Sequence, residues 1–263
     1  MSRPSRQLLA FISNTFLEAL RNKMIYAVLI AAALAMGAAT TFGALSLQQD
    51  ERIYNNFVFF AGMLFLVALA IYQGVTVLHR EIEHKTIFTV LSKPVGRGVF
   101  LLGKYLASIS ILAVCAILMF GFKLAVGFLL GYELTLVHLG VYYAGFLQLT
   151  MVVAVGFFFS TFSVSGPLLS ALFTFAIFLI GSLTPQLKDA SRAFASDDNP
   201  VHMLLDLTVL LTPDFEKLNL SYELTHGIDI PTSYLVHATG YSASVVIFAL
   251  LFSHLIFSRR DFA

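Results

Sequence analysis

The chain has 263 residues, of which 58% are apolar and only 12% are charged, whereas an average soluble domain carries about 25% charged residues. This composition argues against a soluble domain and favours a membrane protein. The formal net charge is +1, so the total charge gives no sign of a nucleic-acid partner. Cys115 is the single cysteine and lies inside an apolar run, which excludes an intramolecular disulfide.

The first 23 residues predict an amphipathic helix. Between Ser5 and Lys23, apolar residues recur at helical spacing, while Arg6, Asn14 and Glu18 fall largely on the other side. Such a helix is typical of segments that lie in the plane of a membrane surface. We therefore expect residues 1–23 to form a cytosolic interface helix.

Six apolar runs follow, and each is long enough to cross a bilayer as a helix of about 20 residues. A helix on a soluble core would need a polar face, and Phe57–Leu78 has none, with Gln73 its most polar residue. The predicted fold is all-α, a polytopic membrane protein with six transmembrane helices. The runs are Met24–Leu47, Phe57–Leu78, Phe100–Leu124, Leu139–Phe162, Pro167–Thr184 and Ser233–Phe257, of which the fifth is the shortest.

Lys and Arg residues predict the orientation of these spans. If the N-terminus is cytosolic, eleven of the sixteen basic residues lie inside and four lie outside, with Lys123 within a run. Six spans return the C-terminus to the cytosol, which agrees with Arg259 and Arg260 near the chain end. We therefore expect both termini to be cytoplasmic.

The segment at residues 79–99 combines charges with apolar residues. Ile87, Phe88 and Leu91 are too apolar for a bare solvated loop, and Pro94 and Gly96 interrupt a continuous helix. The pattern predicts a short cytosolic helix that contacts a partner or the membrane surface.

This segment resembles the ABC-2 type permeases. The resemblance rests on Glu81, Thr86, the Leu91–Val95 sequence LSKPV, Arg97 and the Leu102–Lys104 sequence LGK. The closing Arg259-Arg260-Asp261-Phe262 resembles the arginine-rich ending of that family, and the six-span count also matches. Lys85 departs from the family pattern, which often has Gly before the threonine.

The resemblance implies a permease without ATPase activity, paired with a second permease copy or paralogue and driven by a separate cytosolic ATP-binding subunit. Residues 79–99 would hold the coupling helix, with Glu81, Thr86 and Arg97 contacting the ATPase subunit. ATP and Mg²⁺ would bind to that subunit, so no cofactor, catalytic residue or metal site is expected on this chain. The implied location is the plasma membrane, the inner membrane of a bacterium.

Lys123 lies inside the third apolar run, close to its C-terminal end. Counting about 1.5 Å of rise per residue from Leu101 places it near the outer interface. There its ammonium group can snorkel towards water, or it can serve as an interface or translocation-path charge. Both interpretations remain open from the sequence.

Residues 186–232 form a long acidic segment expected outside the membrane. Within it, Val201–Leu211 is apolar but too short to span a bilayer, and Pro200 and Pro213 bracket it. We expect a helix on the outer leaflet or a lid over a transport path.

The sequence thus predicts one transmembrane permease domain over residues 1–263, the membrane subunit of an ATP-binding cassette transporter, with export as the expected direction of transport. Two alternatives stay open: a non-transporting scaffold or accessory subunit of an envelope complex, and a secondary transporter. A secondary transporter would be expected to carry more buried charges and an inverted repeat. The substrate is not indicated.

Overall fold

The computed structural model of the protein describes residues 12–18, 21–44, 50–83, 97–132, 135–162, 166–194 and 200–259. Within these ranges the regular structure is helical and contains no strand. The first half forms α1 (Ile12–Glu18), α2 (Lys23–Ala44), α3 (Asp50–Glu83), α4 (Arg97–Leu129) and α5 (Val137–Phe162). The second half forms α6 (Pro167–Ser182), α7 (Thr184–Ala193), α8 (Pro200–Leu211), a 3₁₀ turn (Glu216–Leu218), α9 (Ser221–His226) and α10 (Thr232–Arg259).

The helices confirm an all-α polytopic membrane protein. Helices α3, α4, α5 and α10 are each long and apolar enough to cross a membrane alone. Two bent pairs, α1 with α2 and α6 with α7, bring the count to six if each pair is one span. The six predicted spans therefore equal the largest number of spans that the described part of the chain allows.

The fifth predicted span is not one straight helix. Helix α6 has 16 residues, a rise of about 24 Å, which falls short of the roughly 30 Å hydrocarbon core. The chain bends by 62° between α6 and α7, where Pro185 lies in the first turn of α7. Proline cannot donate the hydrogen bond that would continue α6, so the segment predicted as Pro167–Thr184 ends in a break.

Helix α5 lies at the centre of the bundle, because it packs against α3, α4, α6 and α10. Its middle section, including Val152, Ala154 and Phe157, is fully buried. The closest approach is between α3 and α5, where a Cβ added to Gly156 would lie 3.0 Å from the Gly74 Cα. Glycines let two helix backbones touch in this way. Helices α4 and α10 turn large apolar side chains such as Ile117 and Phe248 outwards, as lipid-facing helices do.

The predicted extracytoplasmic segment, residues 186–232, is largely helical where the structure describes it. The predicted helix at Val201–Leu211 is present as α8. One polar contact set holds α8 to α7: the Ser191 Oγ donates to Asp206 and lies 2.8 Å from the His202 Nδ1. The other side of α8 is exposed and apolar, as at Leu210. The external location of α8 stays a prediction.

The stretch after α8 packs onto the ends of α6 and α10. The Phe215 N–H donates to the Gly181 carbonyl at the end of α6, and the Phe215 ring is fully buried. The Asp214 N–H donates to the Tyr241 hydroxyl on α10, and Lys188 forms an ion pair with the Asp214 carboxylate. These contacts fix the position of the 3₁₀ turn that follows.

Candidate functional site

A groove of about 720 Å³ lies between α3 and α6, within the range of small-molecule sites. Its walls are almost entirely apolar, and part of α6 beside it is exposed, as at Leu168 and Leu172. A ligand in this groove would therefore contact both the protein and any molecule that covers the exposed face of α6. The wall residues include Phe60, Met63, Leu64, Val67 and Ile71 from α3 and Leu168, Leu172, Phe175 and Leu179 from α6.

One buried polar side chain lines the floor of the groove. Gln148 on α5 is more than nine-tenths buried and borders the groove. Among the described residues no hydrogen bond engages its side-chain amide. An amide in an apolar wall can both donate to and accept from a ligand, so Gln148 supplies the groove with one fixed polar contact.

The end of the groove next to the 3₁₀ turn is polar, with Asn56, Glu216, Asn219 and Ser221. The Asn219 Nδ2 donates to both carboxylate oxygens of Glu216, at 3.1 and 3.2 Å. Burial raises the pKa of the Glu216 carboxyl; the Asn219 hydrogen bond lowers it, and nearby Asp214 raises it further. We call this end the polar mouth.

The three residues predicted to contact an ATPase are not brought together in the described part of the chain. Glu81 lies in the last turn of α3, and its side chain is outside the described residues. Thr86 and the rest of residues 84–96 also lie outside them. The described ends of the predicted coupling loop, His79–Glu83 and Arg97–Val99, are helical.

Arg97 contacts its own chain. Its Nη1 donates to the carbonyl oxygens of Phe257, at 3.2 Å, and Ser258, at 2.6 Å. These carbonyls belong to the last turn of α10, where a cation also interacts favourably with the helix dipole. The Phe100 and Phe257 rings stack with centroids 6.2 Å apart. Arg97 therefore fastens the start of α4 to the end of α10, a contact that the sequence prediction missed.

A second set of hydrogen bonds at the same end of the bundle was also missed. The Tyr72 hydroxyl on α3 accepts from the Asn22 Nδ2 at 2.8 Å and from the Arg80 Nη2 at 2.7 Å. Asn22 precedes α2, and its Oδ1 accepts from the Met24 N–H, as an N-cap does. Tyr72 thus joins the start of α2 to the last turns of α3, next to Glu81.

Lys123 does not snorkel out of the bundle. Its side chain is only 1% exposed, because it projects from α4 towards the interior. Glu51 on α3 and His138 on α5 interact with it electrostatically. The apolar run around Lys123 does not indicate on which face of α4 the lysine lies. Of the two roles considered, an interior charge agrees with this burial and a water-exposed ammonium does not.

Comparison with protein families decides the class of this helical bundle. The family described as ABC-2 family transporter protein matches residues 8–262, nearly the whole chain. The chain belongs to the ABC-2 transporter family. It is a multi-pass membrane protein and a membrane permease component of an ABC transporter. No match to a curated protein was found.

Two local patterns in this ABC-2 protein invite a catalytic interpretation that the geometry does not support. Gly98–Lys104 approximates a phosphate-binding loop in sequence, but it lies within α4, so its amides are not arranged around a phosphate. Ser191, His202 and Asp206 lie together, yet the serine hydroxyl donates directly to the aspartate. In a nucleophilic triad the imidazole lies between the two.

Proposed function

We propose that this ABC-2 protein is one permease half of an ATP-driven exporter whose separate cytosolic subunit binds and hydrolyses ATP with Mg²⁺. The groove between α3 and α6 is the observation that carries the proposal. One of its walls is α3, whose other end runs directly into residues 84–96, the expected coupling segment. A displacement of that segment by the ATPase would tilt α3 and change the groove.

A second permease, either a second copy or a paralogue, would complete the transport path. The groove is open along α6, where Leu168, Leu172 and Phe175 are exposed. Two such faces placed opposite each other would enclose an apolar passage with a polar mouth on each side. The passage suits a substrate with an apolar body and a polar group that reaches Gln148 or the polar mouth.

At the opposite end of the bundle, we propose that Glu81 and Thr86 contact the ATPase directly. Arg97 supports the contact by fastening α4 to α10, so its effect on the partner is exerted through the position of α4. In this arrangement the protein lies in the plasma membrane, the inner membrane of a bacterium, with both termini in the cytosol. The positive-inside distribution of Lys and Arg supports this orientation.

The test fills the groove without altering the coupling region. Ala171 on α6 lines the groove, so Ala171→Phe would occupy part of its volume. Ala243 on α10 lies on an exposed helix face, so Ala243→Phe adds the same volume on the lipid side as a matched control. Each variant would be reconstituted in liposomes with its ATP-binding subunit, and ATP turnover would be measured with a panel of amphipathic dyes and lipids.

We expect Ala171→Phe to lose most of the substrate-stimulated turnover while keeping the basal turnover and the assembly of the complex. Ala243→Phe should behave as wild type. ATP-dependent accumulation of the stimulating compound inside inside-out vesicles would establish export. Equal stimulation in both variants would refute the groove as the path, and turnover that no compound stimulates would favour a non-transporting scaffold.

A further inference from the structure

Lys123 on α4 lies three residues from Phe120, whose ring packs against Tyr142 on α5 at 4.6 Å between centroids. We call Lys123, His138 and Tyr142 the polar cluster; none of the three is among the residues that line the groove. The lysine side chain is 1% exposed, and within the described part of the chain no carboxylate forms an ion pair with it. Glu51 interacts with it electrostatically without such contact. The nearby Tyr54 hydroxyl is already used, because it donates to the Lys123 carbonyl at 2.9 Å. A buried charge without a partner costs several kcal/mol, so the ammonium group requires compensation.

Two further polar atoms of the cluster, both on α5, lack partners. His138 and Tyr142 are one helical turn apart, so their side chains share a face. Within the described part of the chain, the His138 Nε2 and the Tyr142 hydroxyl are buried and have no hydrogen-bond partner. The His138 Nδ1 is occupied, because it lies 3.3 Å from the Thr135 nitrogen and 3.0 Å from the Thr135 oxygen. Only Nε2 is therefore left for a further hydrogen bond.

The surroundings of these groups favour a negative charge. His138 is the second residue of α5, and the N-terminal end of a helix carries a partial positive charge that attracts anions. The His138 ring also interacts electrostatically with Lys123. An ammonium group, an imidazole N–H, a phenol O–H and a helix N-terminus can all donate to one acceptor, whereas Glu51 is the single described carboxylate that acts on the lysine.

The cluster lies behind the groove wall. The Tyr142 ring packs between Phe120 on α4, at 4.6 Å between centroids, and Phe59 on α3, at 5.5 Å. Phe59 is buried and also lines the groove. A ligand in the cluster would therefore be separated from the groove by the Phe59 ring and would join the ends of α3, α4 and α5.

We propose that Lys123, His138 and Tyr142 bind a small inorganic anion such as chloride. The anion neutralises the buried ammonium group and accepts hydrogen bonds from the His138 Nε2–H and the Tyr142 hydroxyl. It acts as a structural ligand that holds the three helices together and supports Phe59 in the groove wall. Nothing in this site requires ATP or a transported substrate.

The test measures thermal unfolding of the purified full chain as chloride replaces gluconate at constant ionic strength. Gluconate is too large for a buried site of this kind. Because Cys115 is the single cysteine and is buried, a thiol-reactive fluorogenic dye reports unfolding. We expect a saturable rise in Tm of about 4 °C when chloride exceeds its Kd roughly tenfold.

Three variants make the result specific. Lys123→Met keeps the length of the side chain but removes its charge, and it should melt at the same temperature in both salts. In gluconate it should be more stable than wild type, because the uncompensated charge is gone. Tyr142→Phe removes only the hydroxyl and should weaken the chloride response, which keeps the test decisive if Lys123→Met fails to fold. Arg192→Met, at an exposed cation, should respond as wild type does.

Identical melting of the wild type in chloride and gluconate would overturn the proposal and leave water as the occupant of the cluster. An equal chloride response in wild type and Tyr142→Phe would overturn it as well, because the anion would then bind elsewhere. Neither outcome depends on transport, so the exporter proposal stands or falls separately.

Discussion

The end of α6 permits a sharp test, because Gly181 leaves no room for a side chain. A Cβ placed on Gly181 would lie 2.2 Å from the Pro213 carbonyl oxygen and 2.6 Å from the Phe215 Cδ2. The substitution Gly181→Ala therefore forces the stretch at Pro213–Phe215 away from α6. That stretch leads directly into Glu216, at the polar mouth of the groove.

The size of the effect follows from the contact distances. An ordinary contact begins at 3.4 Å, so the Pro213 carbonyl would have to withdraw by about 1.2 Å if the helix stays in place. Overpacking of this kind costs about 1–3 kcal/mol, while alanine gains up to about 1 kcal/mol over glycine within a helix. From the middle of that range the net loss is about 1 kcal/mol, which corresponds to a fall in Tm of roughly 2–4 °C for a chain of this size.

The assay again uses the buried Cys115 thiol to report unfolding. Gly240→Ala on α10 is the matched control, because nothing lies within 4 Å of a Cβ at Gly240, and it should be neutral or slightly stabilising. We also expect Gly181→Ala to reduce substrate-stimulated ATP turnover, since the polar mouth moves with Phe215. A Gly181→Ala protein as stable as Gly240→Ala would refute the steric reasoning.

Three further predictions concern other parts of the chain. Arg97→Met should lower the Tm of the chain purified alone by roughly 3 °C, since it removes hydrogen bonds worth about 1 kcal/mol at a partly exposed site; an effect on ATPase binding alone would contradict the intrachain role. The raised pKa of Glu216 means that the folded state holds its proton more tightly than the unfolded state, so stability falls as pH rises above 4.5. Glu216→Gln should therefore show a smaller fall in Tm over that range, and an unchanged pH profile would contradict the burial of the carboxyl. In a Cys115→Ser background, Asp197→Cys should react with a membrane-impermeant reagent from outside and Lys85→Cys only from inside; external labelling at residue 85 would overturn the orientation.

The sequence predicted the features that depend on local pattern. The predicted runs Phe57–Leu78 and Phe100–Leu124 lie within α3 and α4. Hydropathy identifies such a helix because its residues are buried in lipid or protein, whichever element they pack against. Helix α8 was predictable because prolines at positions 200 and 213 confine a short apolar stretch. The end of α6 also had a local signal in Pro185, the residue after the predicted end of the fifth run at Thr184.

The site contacts were not predictable in the same way, because they join residues far apart in the chain. Arg97 meets Phe257 across 160 residues, and no spacing rule connects the two. Hydropathy did not indicate on which face of α4 Lys123 lies, since a helix dominated by apolar residues gives little periodicity to read. The groove likewise depends on how α3 and α6 pack, which composition does not determine.

The glycine contact between α3 and α5 gives α3 a fulcrum. Backbones that touch at Gly74 and Gly156 have no side chain between them to slide or compress, so a tilt of α3 would turn about this point. Nine residues separate Gly74 from Glu83, and 24 separate it from Asp50, which gives arms of roughly 14 Å and 36 Å. An inner displacement of about 1 Å would thus become one of roughly 2.6 Å at the far end of the helix. The shorter part of α3, from Gly74 to Glu83, leads to the expected coupling segment. The longer part, from Asp50 to Gly74, contains the residues of α3 that line the groove.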